Sequence, residues 1–158
     1  MTWEEVCARP ELRNLPYKIE LDRYGRIVVS PHTVPHARLQ GHIGFLLRQE
    51  LGSESFPEVV IQTAEGVKMA DVVWCSQAFL EAHGDESPFA KASEICVEVQ
   101  SPPDPWREME ERVQLYLARG AQEVWICEPS GRLRFFAHEG ETGRSPLAPE
   151  ASTEIVLR

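Results

Sequence analysis

The run Glu94-Ile95-Cys96-Val97-Glu98-Val99-Gln100-Ser101 constrains this chain more than any other stretch. It reads as a buried strand that carries a carboxylate and an amide near its end, closed by Pro102-Pro103. Strand side chains alternate, so Ile95, Val97 and Val99 point one way while Cys96, Glu98 and Gln100 point the other. The first set is core. The second begins apolar and then places Glu98 and Gln100 on one face. A carboxylate in such a setting is costly unless it is hydrogen-bonded, paired or bound to a metal.

A strand of that kind needs a core around it, and 158 residues with 42% hydrophobic content are enough for one compact domain spanning residues 1–158. No apolar run is long enough to cross a bilayer, and Met1-Thr2-Trp3-Glu4-Glu5 is acidic rather than a basic-then-apolar leader. The expectation is a cytoplasmic protein with no membrane partner. Cys7, Cys75, Cys96 and Cys127 are far apart, with no C-x-x-C pair, and read as free thiols in a reducing compartment rather than as a zinc site. A formal charge of −9 gives no general pull toward nucleic acid, so any such contact has to be local.

Thr2-Trp3-Glu4-Glu5 has capping-box form and predicts a short helix to Ala8. Tyr17–Leu21 and Ile27–Ser30 predict a hairpin turned by Asp22-Arg23-Tyr24-Gly25. Glu20 lies between Ile19 and Leu21, and pattern alone leaves its face open. Thr33 caps a helix from Val34 to Leu51 with Gly52 just beyond, and His36 in its first turn reads as a cap-region hydrogen bonder. Val59–Thr63 and Val67–Cys75 predict two strands, Ser76–Gly84 a short helix and Asp85–Ala92 an exposed loop. Asp104 and Pro105 predict the start of a helix that ends at Gly120, with Trp106, Met109, Val113, Tyr116 and Leu117 as its packing face. Gln122–Cys127 and Leu133–Ala137 form a second expected hairpin, followed by a loop over about 138–152 and a final strand at Glu154–Leu157.

Asp71 is the second anomaly, since aspartate is disfavoured in strands. One reading is an edge-strand acid satisfied by an amide or arginine. The other pairs it with Glu98. If the two strands are neighbours, Asp71 and Glu98 can share a hard divalent cation, magnesium or manganese, which binds through one or two carboxylates plus substrate phosphate. The competing structural reading is a buried acid pair held by hydrogen bonds with one member protonated.

The order of these pieces resembles the PD-(D/E)XK nuclease superfamily, with Met69-Ala70-Asp71 standing for P-D and Glu98-Val99-Gln100 for (D/E)-x-K. More closely, the chain resembles the bacterial Uma family of restriction-endonuclease-like proteins. The matching residues are Ile19-Glu20-Leu21 followed by Gly25-Arg26-Ile27-Val28, Ser30-Pro31, His36, the Asp71 strand, Val97-Glu98-Val99 with Ser101-Pro102, and Tyr116 followed by Gly120-Ala121-Gln122-Glu123-Val124-Trp125-Ile126. The resemblance implies an α/β (α+β) fold with a restriction-endonuclease-like mixed β-sheet core flanked by helices. It implies Mg2+ or Mn2+ held by Asp71, Glu98 and the Val99 carbonyl, DNA as substrate, and a homodimer. Glu20 is implied as an auxiliary acid, Gln100 as the residue that positions water, and Arg112 as the basic group near phosphate. Two departures stand out: Ala70 replaces the proline, and Gln100 replaces the lysine. Two rival expectations remain. One is a module of the same fold that binds nucleic acid or regulates without chemistry. The other is an oligomeric interaction protein whose interface uses Trp106, Trp125 or Phe79.

Overall fold

A computed structural model describes all residues, Met1 to Arg158. The chain opens with helix α1 (Trp3–Ala8), closed by the expected capping box, in which Thr2 and Glu5 bond each other's backbone N–H. Strands β1 (Tyr17–Leu21) and β2 (Ile27–Pro31) form an antiparallel hairpin. Helix α2 (Val34–Leu51) begins at the Thr33 cap and stops at Gly52. Then come β3 (Glu54–Thr63), β4 (Gly66–Cys75), helix α3 (Gln77–His83), β5 (Ile95–Val99), helix α4 (Trp106–Ala118), β6 (Glu123–Cys127), β7 (Leu133–Ala137) and β8 (Gly140–Thr142).

Strands β3 to β8 form one sheet in sequence order, antiparallel throughout except for the parallel pair β5 and β6. A parallel pair needs a crossover connection, and α4 supplies it. The sheet has a helix on each face because β5 is apolar on both. Val97 and Val99 pack with Val72 and Trp125 against Leu39, Ile43 and Leu47 of α2. Cys96 and Val73 pack on the opposite side with Met109, Val113 and Tyr116 of α4. Complete burial of a large apolar side chain stabilises by about 1.5–3 kcal/mol, so these two layers are the principal attraction holding the sheet. A third, smaller cluster joins Val6 of α1 and Ile19 and Leu21 of β1 to Val60 and Val67. It seats the hairpin on the β3–β4 end of the sheet.

Several expectations change. The final strand at Glu154–Leu157 does not form; Glu154 makes an isolated bridge to Arg132, and Gly140–Thr142, expected within a loop, is the edge strand instead. The Asp85–Ala92 segment is not simply exposed, because Phe89 enters the core and exchanges backbone hydrogen bonds with Val60 and Gln62. Helix α4 begins one residue later than expected, with Pro105 at its cap, and the Asp104 carboxylate accepts from Ser101 N–H rather than from the helix. Trp125 and Phe79, two of the aromatics expected at an oligomer interface, are buried in the fold, while Trp106 is half-buried under Arg134 and beside Phe136.

The β3–β4 turn fixes where the hairpin sits. Gly66 has φ +95°, and a Cβ there would collide with the carbonyl oxygens of Leu21 and Asp22. Gly66→Ala is expected to cost more than about 1 kcal/mol, from backbone strain together with lost docking of β1. Urea denaturation measures the loss, and unchanged stability would contradict this seating.

Candidate functional site

Strands β4 and β5 are neighbours, and their register pairs Val72 with Val97 and Val73 with Cys96. Continued by one residue, the same register sets Asp71 opposite Glu98, on the α4 side of the sheet. Both side chains are only 2% exposed. Two anions on one rung inside a protein would repel strongly, and the surrounding elements answer that repulsion.

From β1, Lys18 Nζ approaches Glu98 Oε2 at 3.1 Å, Asp71 Oδ1 at 3.3 Å and Glu20 Oε2 at 4.0 Å. The alternation along β1 explains how: Ile19 and Leu21 enter the small core, which turns Lys18 and Glu20 together toward the acids. From α4, Arg112 forms a two-pronged pair with Glu20, Nη1 to Oε2 at 2.5 Å and Nη2 to Oε1 at 2.6 Å, and reaches Glu98 Oε1 at 3.3 Å. One helical turn later, the Tyr116 hydroxyl donates to the same Glu98 oxygen at 2.6 Å. The backbone contributes as well, with Val99 N–H donating to Asp71 Oδ2 and Met69 N–H to Glu20 Oε2, each at 2.7 Å. His36, in the first turn of α2, sets Nε2 3.3 Å from Asp71 Oδ2, while its buried Nδ1 has no partner. The unpartnered Nδ1 favours the tautomer with the proton on Nε2, since a buried N–H left without an acceptor costs more than a bare lone pair.

The electrostatics follow from this geometry. Burial works against ionising Asp71, but Lys18, His36 and the Val99 N–H outweigh it and hold the carboxyl well below its usual range. Burial likewise opposes Glu20, and Arg112 with Lys18 overcomes it, again lowering the pKa. Glu98 goes the other way. Burial pushes it up to about 7 despite Lys18 and Arg112, because ionised Asp71 and Glu20 add repulsion. Asp71 and Glu98 thus titrate as a pair, with Asp71 holding its charge more firmly. Burial also opposes the Lys18 ammonium, yet the three carboxylates keep its pKa above the ordinary lysine value. The hydrogen bond to Asp71 raises the pKa of His36 against the effect of burial.

Lys18, His36, Asp71, Glu98 and Arg112 line a small cavity of about 70 Å³ together with Ser30, His32, Val99 and Asp104, and Glu20 and Tyr116 stand behind them. Of the residues singled out from sequence, Glu20, Asp71, Glu98, Val99 and Arg112 come together here. Gln100 does not. It lies just past the end of β5, and its amide donates to the Asp104 carbonyl at 3.0 Å. Arg112, which would be a solvated charge if α4 were viewed alone, pairs across the molecule with Glu20. Three participants had no site role in the sequence: Lys18; Tyr116, expected only on the packing face of its helix; and His36, expected as a cap-region hydrogen bonder, whose backbone N–H does bond Thr33 while its ring reaches Asp71 instead. Lys18 had a sequence signal, for it stands two residues from Glu20 on the same strand and therefore shares its face. Tyr116 stands four residues after Arg112, on the same stripe of the helix.

No group of three or more His, Cys, Asp and Glu side chains is arranged to hold a metal. The donor set still fits a hard cation. Two buried carboxylate oxygens already converge on one cationic atom, Lys18 Nζ, and magnesium-type ions often take one or two carboxylates and complete their shell with water and phosphate.

A family model named Uma2 and described as "Putative restriction endonuclease" matches residues 3–154. The chain belongs to the Uma2 family. Restriction-endonuclease-like proteins generally use divalent metal ions. Among solved structures, this member is similar to one described as "a putative nuclease belonging to DUF820 from Anabaena variabilis", with a TM-score of 0.71 and 14% identity. The match covers 98% of this chain and 94% of that one. At that identity the likeness is one of fold, and it agrees with the expected mixed sheet flanked by helices. No curated protein matches the chain significantly.

Two outcomes test the ionic cluster. Arg112→Met leaves Glu20 without its buried partner and is expected to cost about 3–5 kcal/mol in urea denaturation, whereas Glu20→Gln with Arg112→Met should recover part of that loss. The sign of the acid response follows from the lowered groups. Glu20 and Asp71 contribute stability that is present above the unfolded carboxyl pKa of about 4 and is lost as pH falls through their lower folded values. Asp71→Asn should therefore flatten the acid side of a stability-against-pH curve.

Proposed function

We propose that this Uma2 member is a nuclease that uses magnesium or manganese to cleave phosphodiester bonds of DNA. The observation carrying this reading is the convergence of Asp71 and Glu98, across one rung, on a single cationic point that borders a cavity. In this reading Asp71 and Glu98 hold the ion, with the Val99 carbonyl beside them. When bound, the ion supplies Lewis acidity at the phosphate and an activated water.

The chain's own residues do the rest. Val99 N–H and His36 fix the Asp71 carboxylate, and Tyr116 fixes that of Glu98, so neither acid has to reorient. Glu20 serves as a positioning residue, because both of its oxygens hold the Arg112 guanidinium. Arg112 stays charged at any working pH, which suits it to a phosphate and makes it a poor general base. Gln100 acts indirectly, since its bond to Asp104 helps tie down the turn that follows β5.

A second reading has specific support: the Gln100 amide is engaged by the Asp104 carbonyl and bonds neither acid, and Lys18 and Arg112 already balance much of their charge. The chain would then bind nucleic acid, or regulate, without cleaving. Calorimetry with manganese and a plasmid-nicking assay separate the two. The nuclease reading expects binding and nicking by wild type. It also expects Asp71→Ala to lose heat of binding and to drop at least a hundredfold in rate, equivalent to about 2.7 kcal/mol. Wild type that retains DNA but never nicks plasmid, single-stranded DNA or RNA selects the silent module.

A further inference from the structure

The two permanent cations lining the cavity are held in different ways. Arg112 is clamped by two short bonds to Glu20, whose Oε2 is also fixed by Met69 N–H. Lys18 has no such private partner. Its ammonium rests between Asp71 and Glu98 at 3.3 and 3.1 Å, the same two carboxylates proposed to hold the metal, and its remaining acidic neighbour is Glu20 at 4.0 Å. A divalent cation placed on those oxygens would stand against a positive charge at contact distance. The two cannot share the seat.

We propose that Lys18 is a tethered counter-ion that yields its place between Asp71 and Glu98 to the divalent metal and then contacts the substrate phosphate from within the cavity. This rests on the metal reading above. Three features support it. The Lys18 side chain is 11% exposed and lines the cavity, so the ammonium has an outlet. Its four-carbon stem is flexible and its ammonium is a compact point charge, whereas the Arg112 guanidinium is rigid and already engaged. Once displaced, the Lys18 ammonium lies in a cavity lined also by Arg112, His32 and His36 as well as Asp104 and Glu108, and a phosphate oxygen is a partner that bound DNA would bring to those basic groups. While the seat is taken by Lys18, the buried acids stay compensated, so the fold does not depend on metal to neutralise them. No covalent step is involved; the exchange is one of ion partners.

Lysine acylation reads the exchange directly in unmodified protein. The chain has three lysines, Lys18, Lys68 and Lys91, and Lys91 is exposed and serves as the internal standard. An N-hydroxysuccinimide ester followed by peptide mass spectrometry should find Lys18 protected in metal-free protein. Saturating manganese should raise its labelling by roughly tenfold relative to Lys91, in the range expected for coupled occupancy of one site. A short DNA duplex added with manganese should protect it again. In parallel, Lys18→Met should bind manganese about tenfold more tightly than wild type, because the competitor is gone. A thermal melt establishes that this variant is folded, and an unfolded variant leaves the wild-type labelling to decide.

The outcomes separate cleanly. Manganese bound by calorimetry while Lys18 stays protected overturns the exchange but leaves the metal site standing. Release by manganese without protection by duplex overturns the phosphate contact. Absence of manganese binding in both wild type and Lys18→Met overturns the exchange together with the metal reading.

Discussion

Two carboxylates on one rung of a buried sheet set the terms for much of this molecule. Asp71 and Glu98 are brought together by backbone pairing between β4 and β5, which is indifferent to the charge the side chains carry. Leaving both ionised and alone would cost more than an ordinary domain's whole stability. The chain therefore surrounds them with a lysine from β1, an arginine and a tyrosine from α4, a histidine from α2 and a backbone N–H from β5. The hairpin, both helices and the strand end are all committed to one point. The apolar layers supply the attraction, and the ionic cluster specifies how the layers are aligned.

That arrangement explains why the site combines rigidity with one loose component. Arg112 and Glu20 make a planar, two-pronged pair that fixes α4 against β1. Tyr116 and His36 pin the outer oxygens of the acids. Lys18 is different, for its ammonium donates one hydrogen bond each to Asp71 and Glu98 and has no two-pronged partner of its own. A buried ion pair is weak evidence for stability but strong evidence that removing one partner is costly. In this cluster the partner most readily exchanged is the one whose position another cation can fill.

Much of the architecture was legible from the chain alone. The capping box at Thr2, the cap at Thr33, the stop at Gly52 and the alternation in Tyr17–Leu21 are local signals, and local physics decides them. The departures are equally instructive. Residues Glu154–Leu157 have strand-like composition but pair only as a single bridge at Arg132, because β8 already takes the rest of that side of β7, from Phe135 to Ala137. Asp104 has the composition of a helix cap, yet its carboxylate is taken by Ser101 N–H in the preceding turn. Neither outcome is a matter of propensity; each depends on which partner is already in place.

By itself the sequence determined that Asp71 and Glu98 sit in strands too apolar for an unaccompanied acid, and that the chain resembles the family to which it belongs. Alternation and burial suffice for that, since both act over a few residues. Tertiary structure alone decided which groups compensate the acids. Lys18 meets Asp71 across 53 positions of sequence and Arg112 meets Glu20 across 92, so no local spacing encodes either pair. It also decided that the Gln100 amide is taken by the Asp104 carbonyl, a partner in the turn after β5 that the strand pattern does not specify. The cation at the acids came from a different strand because docking of the hairpin, and not the order of residues after Glu98, sets what lies beside them.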